Sequence, residues 1–302
     1  MKKQKTNAWI RAVRLRTLPL SISGVIMGSA LALGKGNFHL SVFLLALLTT
    51  LLLQILSNLA NDYGDYSHGT DNENRVGPQR TVQSGAIKPN EMRWAMAFVG
   101  ILSFIFGILL LKTSFKESLN LEFLIFLIMG LLAISAAIKY TVGKNPFGYQ
   151  GFGDLMVFVF FGIVAVLGTY FLHAQVTDVW VLLPAISIGA LSVGVLNINN
   201  MRDIVNDKYS GKNTIPVRLG SKNSKYYHLF LMLVSFISLE IYFVHEQELI
   251  SAFSLWIPFS LIGWHSYHVI KNSEPKDLDP ELKRLSLATL LIACWCGLGI
   301  FF

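Results

Sequence analysis

Nine long apolar stretches dominate the sequence, and each is long enough to cross a lipid bilayer as a helix. A bilayer core about 30 Å thick needs about 20 apolar residues per helix. We predict nine transmembrane helices at approximately 17–34, 39–60, 93–111, 121–138, 154–173, 179–200, 226–244, 249–270 and 285–302. Only 14% of the 302 residues are charged, whereas soluble proteins carry roughly 25%. The sequence therefore predicts an all-α integral membrane protein, with residues 1–302 forming a single membrane-embedded domain.

The basic residues alternate between the two ends of these helices. The N-terminus and the connections 61–93, 139–153, 201–225 and 271–284 hold 22 of the 25 Lys and Arg residues. Basic residues concentrate in cytoplasmic loops. We therefore predict a multi-pass protein of the cell inner (cytoplasmic) membrane, with its N-terminus in the cytoplasm and its C-terminus outside. Because membrane orientation accounts for the net charge of +7, we expect no nucleic-acid partner.

An acidic motif occurs twice, each time where an apolar stretch gives way to a long cytoplasmic loop. Both copies have an Asn, an Asp four residues later and then a second Asp: Asn58, Asp62 and Asp65 in the first, and Asn199, Asp203 and Asp207 in the second. Residues at this spacing share one face of a helix. The offset of 141 residues spans four predicted helices. We therefore predict two pseudo-repeated four-helix halves plus a ninth helix, arranged around a central cavity.

The two motifs together provide carboxylate and amide oxygens, which are hard ligands. Mg²⁺ prefers a few carboxylates combined with substrate phosphates and water. Basic residues that could contact a phosphate lie close by in the sequence: Arg75, Arg80, Lys88, Arg202, Lys208 and Lys212. An alternative interpretation is that the acids only cap helices and solvate loops. The repeated spacing favours a metal site that clamps a diphosphate.

A third cytoplasmic connection, 139–153, has fewer charges but several Gly residues and a Pro that set turns. Lys139 and Tyr140 stand at the cytoplasmic end of the fourth predicted helix, beside the expected cavity, and Tyr149 follows in the same connection. Asp154 is compatible both with a functional role and with capping the next helix. The two tyrosines are also compatible with a purely interfacial position.

These motifs resemble those of a known family. Asn61-Asp62-x2-Asp65 with Asp203-x3-Asp207, on nine helices, is similar to the UbiA superfamily of intramembrane aromatic prenyltransferases. The stretches 58–65, 77–80, 140–144, 197–203 and 211–214 resemble its menaquinone branch, the 1,4-dihydroxy-2-naphthoate polyprenyltransferases. The resemblance covers nearly the whole chain. The superfamily's first motif usually has a third acid where this chain has Gly69, so the role of the next acid, Asp71, is left open.

The resemblance implies a reaction and a set of site residues. A polyprenyl group would pass from polyprenyl diphosphate to 1,4-dihydroxy-2-naphthoate, with loss of CO₂ and diphosphate, giving demethylmenaquinol. Four catalytic acids would hold Mg²⁺, namely Asp62, Asp65, Asp203 and Asp207. The substrates would contact Asn58, Arg80, Lys139, Tyr140, Tyr149, Asn199, Arg202 and Lys212. The lipid tail needs the membrane, and no obligate protein partner is expected.

Two alternatives remain at this stage. A prenyltransferase of the same fold could act on another aromatic acceptor, such as 4-hydroxybenzoate. A membrane transporter would belong to a different class. Transporters place ionisable groups near the middle of the bilayer, whereas the acids here cluster at one predicted membrane surface. This asymmetry favours an enzyme that takes a substrate from the cytoplasm.

Overall fold

A computed structural model describes residues 2–70, 76–115 and 120–299 of the chain. Every regular element in these ranges is helical. The α-helices are α1 (Lys2–Val13), α2 (Leu18–Gly34), α3 (Leu40–Ser67), α4 (Pro89–Ser114), α5 (Leu121–Lys139), α6 (Gly153–Val157), α7 (Thr169–Ala174), α8 (Leu182–Arg202), α9 (Ile204–Tyr209), α10 (Ile215–His245), α11 (Leu249–Ser254), α12 (Trp256–Lys271) and α13 (Asp279–Gly299). A π-helical segment, Phe158–Gly168, joins α6 to α7 into one rod.

The predicted number of spans is confirmed for the described part of the chain, which has nine helical stretches long and apolar enough to cross a membrane. The protein is therefore a multi-pass membrane protein. The observed helix ends differ from the predicted ones where polar residues form hydrogen bonds inside the fold. For example, α3 was predicted to end at 60 but continues to Ser67, so its acids are on a helix. The end of the ninth predicted helix, beyond Gly299, lies outside the described residues.

The basic N-terminus forms a helix, α1, that the pattern of apolar residues does not predict. Its residues are mostly polar, but Ala8 and Ala12 are fully buried one turn apart. They pack in a cluster with Leu56, Leu59 and Ala60 of α3. Small residues allow this close approach of two helices. As a result, α1 lies against the segment of α3 that carries the first acidic motif.

Most of the buried core lies in the second half of the chain, which includes α13, and in α2. There α8 packs against α10, the π-helical segment and α13. In contrast, α5 packs against α3 and α4, and most of its residues are exposed or only half-buried. A cavity lies between this looser group of helices and the π-helical segment.

Candidate active site

The cavity has a volume of about 410 Å³ and two chemically different parts. Its polar end is lined by side chains from both acidic motifs and the following loop: Asn58, Asn61, Asp65, Asp203, Asp207 and Lys212. Its apolar arm is lined by Ala46, Gly107, Phe126, Ala133, Phe161 and Leu172. On α3 alone, the lining positions from Ala46 to Asp65 extend over about 28 Å at 1.5 Å per residue. A molecule with a charged head and a long apolar tail matches this shape.

Acids from the two halves of the chain meet at the ammonium group of Lys212. Its Nζ donates a hydrogen bond of 2.8 Å to Oδ1 of Asp65. The same Nζ is 4.0 Å from Oδ1 of Asp207. All three side chains are largely buried, with exposed fractions of 14% for Lys212 and 6–7% for the acids. The site thus already binds one positive charge between carboxylates of the first and second motifs.

Tyr149 links this pair to the third cytoplasmic connection. Its hydroxyl donates to Oδ1 of Asp65 at 2.8 Å and lies 2.7 Å from the hydroxyl of Thr70. The ring lies 4.6 Å from the Lys212 ammonium, at cation–π distance. The Tyr149 carbonyl accepts a hydrogen bond from the backbone N–H of Asn213. Tyr149 therefore fixes both Asp65 and the loop that carries Lys212.

Asn61 was not among the predicted site residues, but the structure brings it into the polar end. Thr141 holds it there, because its hydroxyl lies 3.1 Å from Asn61 Oδ1 and 3.0 Å from the Ala60 carbonyl. A β-carbon at Gly64 would lie 2.6 Å from the Thr141 carbonyl oxygen. Only a glycine at position 64 allows the Thr141 backbone to approach α3 so closely. This glycine within the first motif is the sequence signal for the contact.

Asp62 has a different environment from the one predicted. Its side chain does not line the cavity and is 1% exposed. One carboxylate oxygen accepts hydrogen bonds from the Thr81 backbone N–H at 3.1 Å and the Thr81 hydroxyl at 2.7 Å. The other accepts the Val82 backbone N–H at 3.1 Å. The described contacts of Asp62 therefore organise the loop between α3 and α4.

Arg202 also has a different environment from the one predicted. It does not line the cavity, and its side chain is fully buried. Nε and Nη2 donate to the two carboxylate oxygens of Asp203 at 3.0 and 2.6 Å. Nη2 also donates to Asn199 at 2.9 Å, and Nη1 donates to Asp279 at 2.5 Å. Arg202 thus orients two predicted site residues, Asp203 and Asn199, that do line the cavity.

Asn58 joins the cavity to the segment before α2. Its amide nitrogen donates to the Val13 carbonyl at 2.8 Å and to the Thr17 hydroxyl at 3.0 Å. Gln54, one turn earlier on α3, donates to the Asn58 side-chain oxygen. Arg14, which was not predicted as a site residue, also lines the polar end. Its φ of 53° lies in the left-handed region, a strained conformation for a residue other than glycine.

The remaining predicted residues divide into two groups. Arg80 and Tyr140 line the cavity, whereas Lys139 is exposed and does not. Burial raises the pKa of the Tyr140 phenol above its ordinary value, with Asp154 and Asp65 adding to the effect. Tyr140 therefore stays protonated and can donate a hydrogen bond into the cavity. Asp71 lies outside the described residues.

The donor set of the polar end fits a hard cation such as Mg²⁺. No three Asp, Glu, His or Cys side chains among the described residues form a ready metal site. However, Asp65 and Asp207 already face a common positive charge, the Lys212 ammonium. Asn61 and Asp203 add oxygen atoms to the same cavity wall. Carboxylate and amide oxygens are appropriate ligands for Mg²⁺, and movement of the Lys212 side chain would open their common face.

Comparisons with known proteins agree with this geometry. The model of the UbiA prenyltransferase family matches residues 21–298. The chain is 41% identical over 302 residues to 1,4-dihydroxy-2-naphthoate octaprenyltransferase of Escherichia coli, covering 98% of this chain and 96% of that protein. The enzyme of the same name from Haemophilus influenzae is 40% identical over 299 residues, with the same coverage.

Solved structures share the fold at low sequence identity. A UbiA homolog from Aeropyrum pernix is 16% identical, with a TM-score of 0.65 over 97% of both chains. A UbiA homolog from Archaeoglobus fulgidus, bound to DMAPP and Mg²⁺, is 16% identical, with a TM-score of 0.63 over 97% of this chain and 99% of that one. The fold of the described residues is therefore one that these solved structures share.

Proposed function

The chain belongs to the UbiA prenyltransferase family, and from that premise we propose that it transfers a polyprenyl group from polyprenyl diphosphate to 1,4-dihydroxy-2-naphthoate. CO₂ and diphosphate leave, and demethylmenaquinol forms as an intermediate of menaquinone biosynthesis. The acceptor follows from the relatives of about 40% identity, which carry the name of this activity. Residues 1–302 act in this proposal as one prenyltransferase domain.

The observation that carries the proposal is the combination of an acidic, cation-holding head and a long apolar arm in one cavity. The head group of polyprenyl diphosphate is a polyanion, and its tail is a hydrocarbon. Acids alone would repel the head group, so a cation must mediate the contact. The arm, between α3, α4, α5 and the π-helical segment, gives the tail an apolar environment inside the membrane.

We propose that Mg²⁺ is this cation and that Asp65, Asp203 and Asp207 hold it, with Asn61 adding an amide oxygen. The Archaeoglobus fulgidus homolog is described as bound to DMAPP and Mg²⁺, which supports the same use of metal here. Mg²⁺ would stabilise the negative charge that develops on departing diphosphate. Asp62 remains a predicted ligand from the sequence, but its contacts with Thr81 and Val82 favour a structural role.

The basic and polar residues of the polar end have complementary tasks. Lys212 would turn from the carboxylates to the diphosphate oxygens once the cation is bound, and Arg80, which also lines the cavity, would contact the same group. Tyr149 keeps Asp65 oriented through its hydroxyl. Tyr140, as a protonated phenol, would donate a hydrogen bond to the acceptor. The apolar walls next to the head exclude the water that would otherwise capture the reactive prenyl group.

The bond changes balance without an oxidant or reductant. The bond between prenyl C1 and the diphosphate oxygen breaks, and diphosphate takes the electron pair. The ring carbon that carries the carboxylate forms the new bond to C1. The carboxylate then leaves as CO₂, and its bonding electrons restore the aromatic ring. The chain's own residues need only bind, orient and exclude water.

We propose that the polar end faces the cytoplasm in the inner membrane. The N-terminus and the connections 61–93, 139–153, 201–225 and 271–284 hold 22 of the 25 Lys and Arg residues. Such basic residues concentrate on the cytoplasmic side of membrane proteins. This orientation would give the water-soluble naphthoate direct access from the cytoplasm, while the prenyl donor arrives through the bilayer.

The test is an acceptor competition. Purified protein in lipid is given farnesyl or longer polyprenyl diphosphate, Mg²⁺, and an equimolar mixture of 1,4-dihydroxy-2-naphthoate and 4-hydroxybenzoate. We expect a decarboxylated prenyl-naphthalenediol by mass spectrometry, with CO₂ released in equal amount and no product when EDTA replaces Mg²⁺. Prenylation of 4-hydroxybenzoate alone would reject the proposed acceptor, and full turnover in EDTA would reject the metal.

A further inference from the structure

We propose that Asp279, at the start of the last helix, is a positioning residue that acts on Asp203 through Arg202. This inference rests on the proposed function, because it concerns how the enzyme presents Asp203 to its cation. Asp279 neither lines the cavity nor belongs to either acidic motif. Its effect passes through the buried guanidinium of Arg202.

The geometry connects three separate parts of the chain. Arg202, at the end of α8, donates to both oxygens of Asp203 and, with Nη1, to Oδ1 of Asp279 at 2.5 Å. Arg16, just before α2, donates to both oxygens of Asp279 at 3.1 and 3.0 Å. The chain of contacts thus runs from Arg16 through Asp279 and Arg202 to Asp203, which lines the cavity.

Burial makes each partner of Arg202 important. Its side chain is fully buried, and a buried charge is costly unless it is paired and hydrogen-bonded. Asp203 alone would have to neutralise Arg202 if Asp279 were neutral. Its carboxylate would then be held more strongly by the guanidinium and would be less available to a cation. Asp279 shares the guanidinium charge and so leaves Asp203 more negative.

The described contacts pair two guanidinium groups, Arg16 and Arg202, with two carboxylates, Asp203 and Asp279. Neutralising Asp279 would remove one negative charge beside the cation site, whereas neutralising Arg16 would remove one positive charge. A charge effect therefore predicts shifts of opposite sign for the two substitutions. A general loosening of the structure would change cation affinity in the same direction for both.

The experiment compares Asp279→Asn with Arg16→Gln in the full-length protein. Cation binding is measured as the rise in melting temperature on titration with Mg²⁺ in the presence of geranyl diphosphate, without acceptor. We expect the half-saturating Mg²⁺ concentration to rise about tenfold in D279N, as loss of a nearby charge in a partly buried site implies. In R16Q it should fall. D279E should recover most of the affinity of the original protein.

Asp277→Asn is the matched control, since Asp277 lies two residues away on the same segment and is exposed. Its half-saturating Mg²⁺ concentration should equal that of the unaltered protein. The inference is overturned if D279N leaves Mg²⁺ binding unchanged, or if D279N and R16Q weaken it equally. Should D279N not fold, a fall of the half-saturating Mg²⁺ concentration in R16Q would support the inference, and a rise or no change would overturn it. The titration contains no acceptor, so a wrong naphthoate assignment would not alter its outcome.

Discussion

In both acidic motifs an Asp follows the Asn by four residues, yet these equivalent acids have different partners. Asp62 in the first motif accepts hydrogen bonds from Thr81 and Val82, which are uncharged and belong to the following loop. Asp203 in the second is bound by the Arg202 guanidinium and lines the cavity. Sequence repetition therefore predicts acids near the ends of α3 and α8, but not the helix break at Asp203, which separates α8 from α9. The contacts of each carboxylate decide which acids face the substrate.

Helices α3, α4 and α5 also pack less tightly than the helices of the second half. In the apolar 18-residue stretches of α3, α4 and α5, 17%, 22% and 6% of residues are buried in the protein. The share is 67% in the span Val179–Arg202 and 44% in Ile215–His245. α2 does not share this looseness, since the buried share is 61% in its span Gln4–Gly34. An added methyl group should therefore be tolerated better on α5 than on the tightly packed α8.

The largest effect is expected for the cavity-facing acid of the first half. Asp65→Asn keeps an acceptor for Tyr149 but removes the charge that faces Lys212 and the proposed cation. Turnover should fall at least about 100-fold, a typical loss when one preorganised electrostatic contact is removed. Initial rates and melting temperature should be measured on the same preparations. A folded Asp65→Asn protein with normal turnover would contradict the proposed role of Asp65.

Asp62→Asn should lower the stability of the protein while leaving most of its turnover. The amide NH₂ cannot accept the hydrogen bonds that one Asp62 oxygen receives, so a buried N–H in the loop loses its partner. We expect the free energy of unfolding to fall by about 2 kcal/mol, seen as a lower melting temperature. Turnover per folded molecule should change less than about threefold, well below the loss at Asp65. Normal stability with abolished turnover would instead support Asp62 as a metal ligand.

The smallest effect concerns packing, tested by two glycine substitutions in transmembrane helices. In Gly189→Ala the new methyl would lie 2.8 Å from the Phe158 ring, and overpacking should cost about 1 kcal/mol. In Gly130→Ala of α5 the methyl meets no atom within 4 Å. Its melting temperature should be unchanged or slightly higher, since Ala favours the helix. Equal destabilisation by both substitutions would contradict the packing difference between α5 and α8.

The architecture was largely predictable because membrane solvation acts on long stretches of sequence. Apolar runs of bilayer length and alternating basic loops predicted nine spans, and the described residues confirm that number. α1 was missed because its buried face consists of two alanines, Ala8 and Ala12, in an otherwise polar segment. The extension of α3 to Ser67 was missed because its polar end is stabilised by contacts from distant loops.

The candidate site was only partly predictable. The spacing of the motifs indicated the acids, the oxygen-rich chemistry and the Lys212 loop. It did not indicate Asn61, which needs Thr141, nor the strained Arg14. Thr141 and Asn61 lie 80 residues apart in the sequence, so their proximity depends on how the helices pack.

By itself, the sequence determined the fold class, the number of spans and the chemical character of one polar cluster, because hydrophobicity and helical spacing are local properties. Only the tertiary structure decided the direction of each carboxylate. Asp65 and Asp207 meet at Lys212, Asp62 is held by a loop, and Asp203 is held by Arg202. The physical reason is that a buried carboxylate must be paired or hydrogen-bonded, and the packed fold determines which partners reach it.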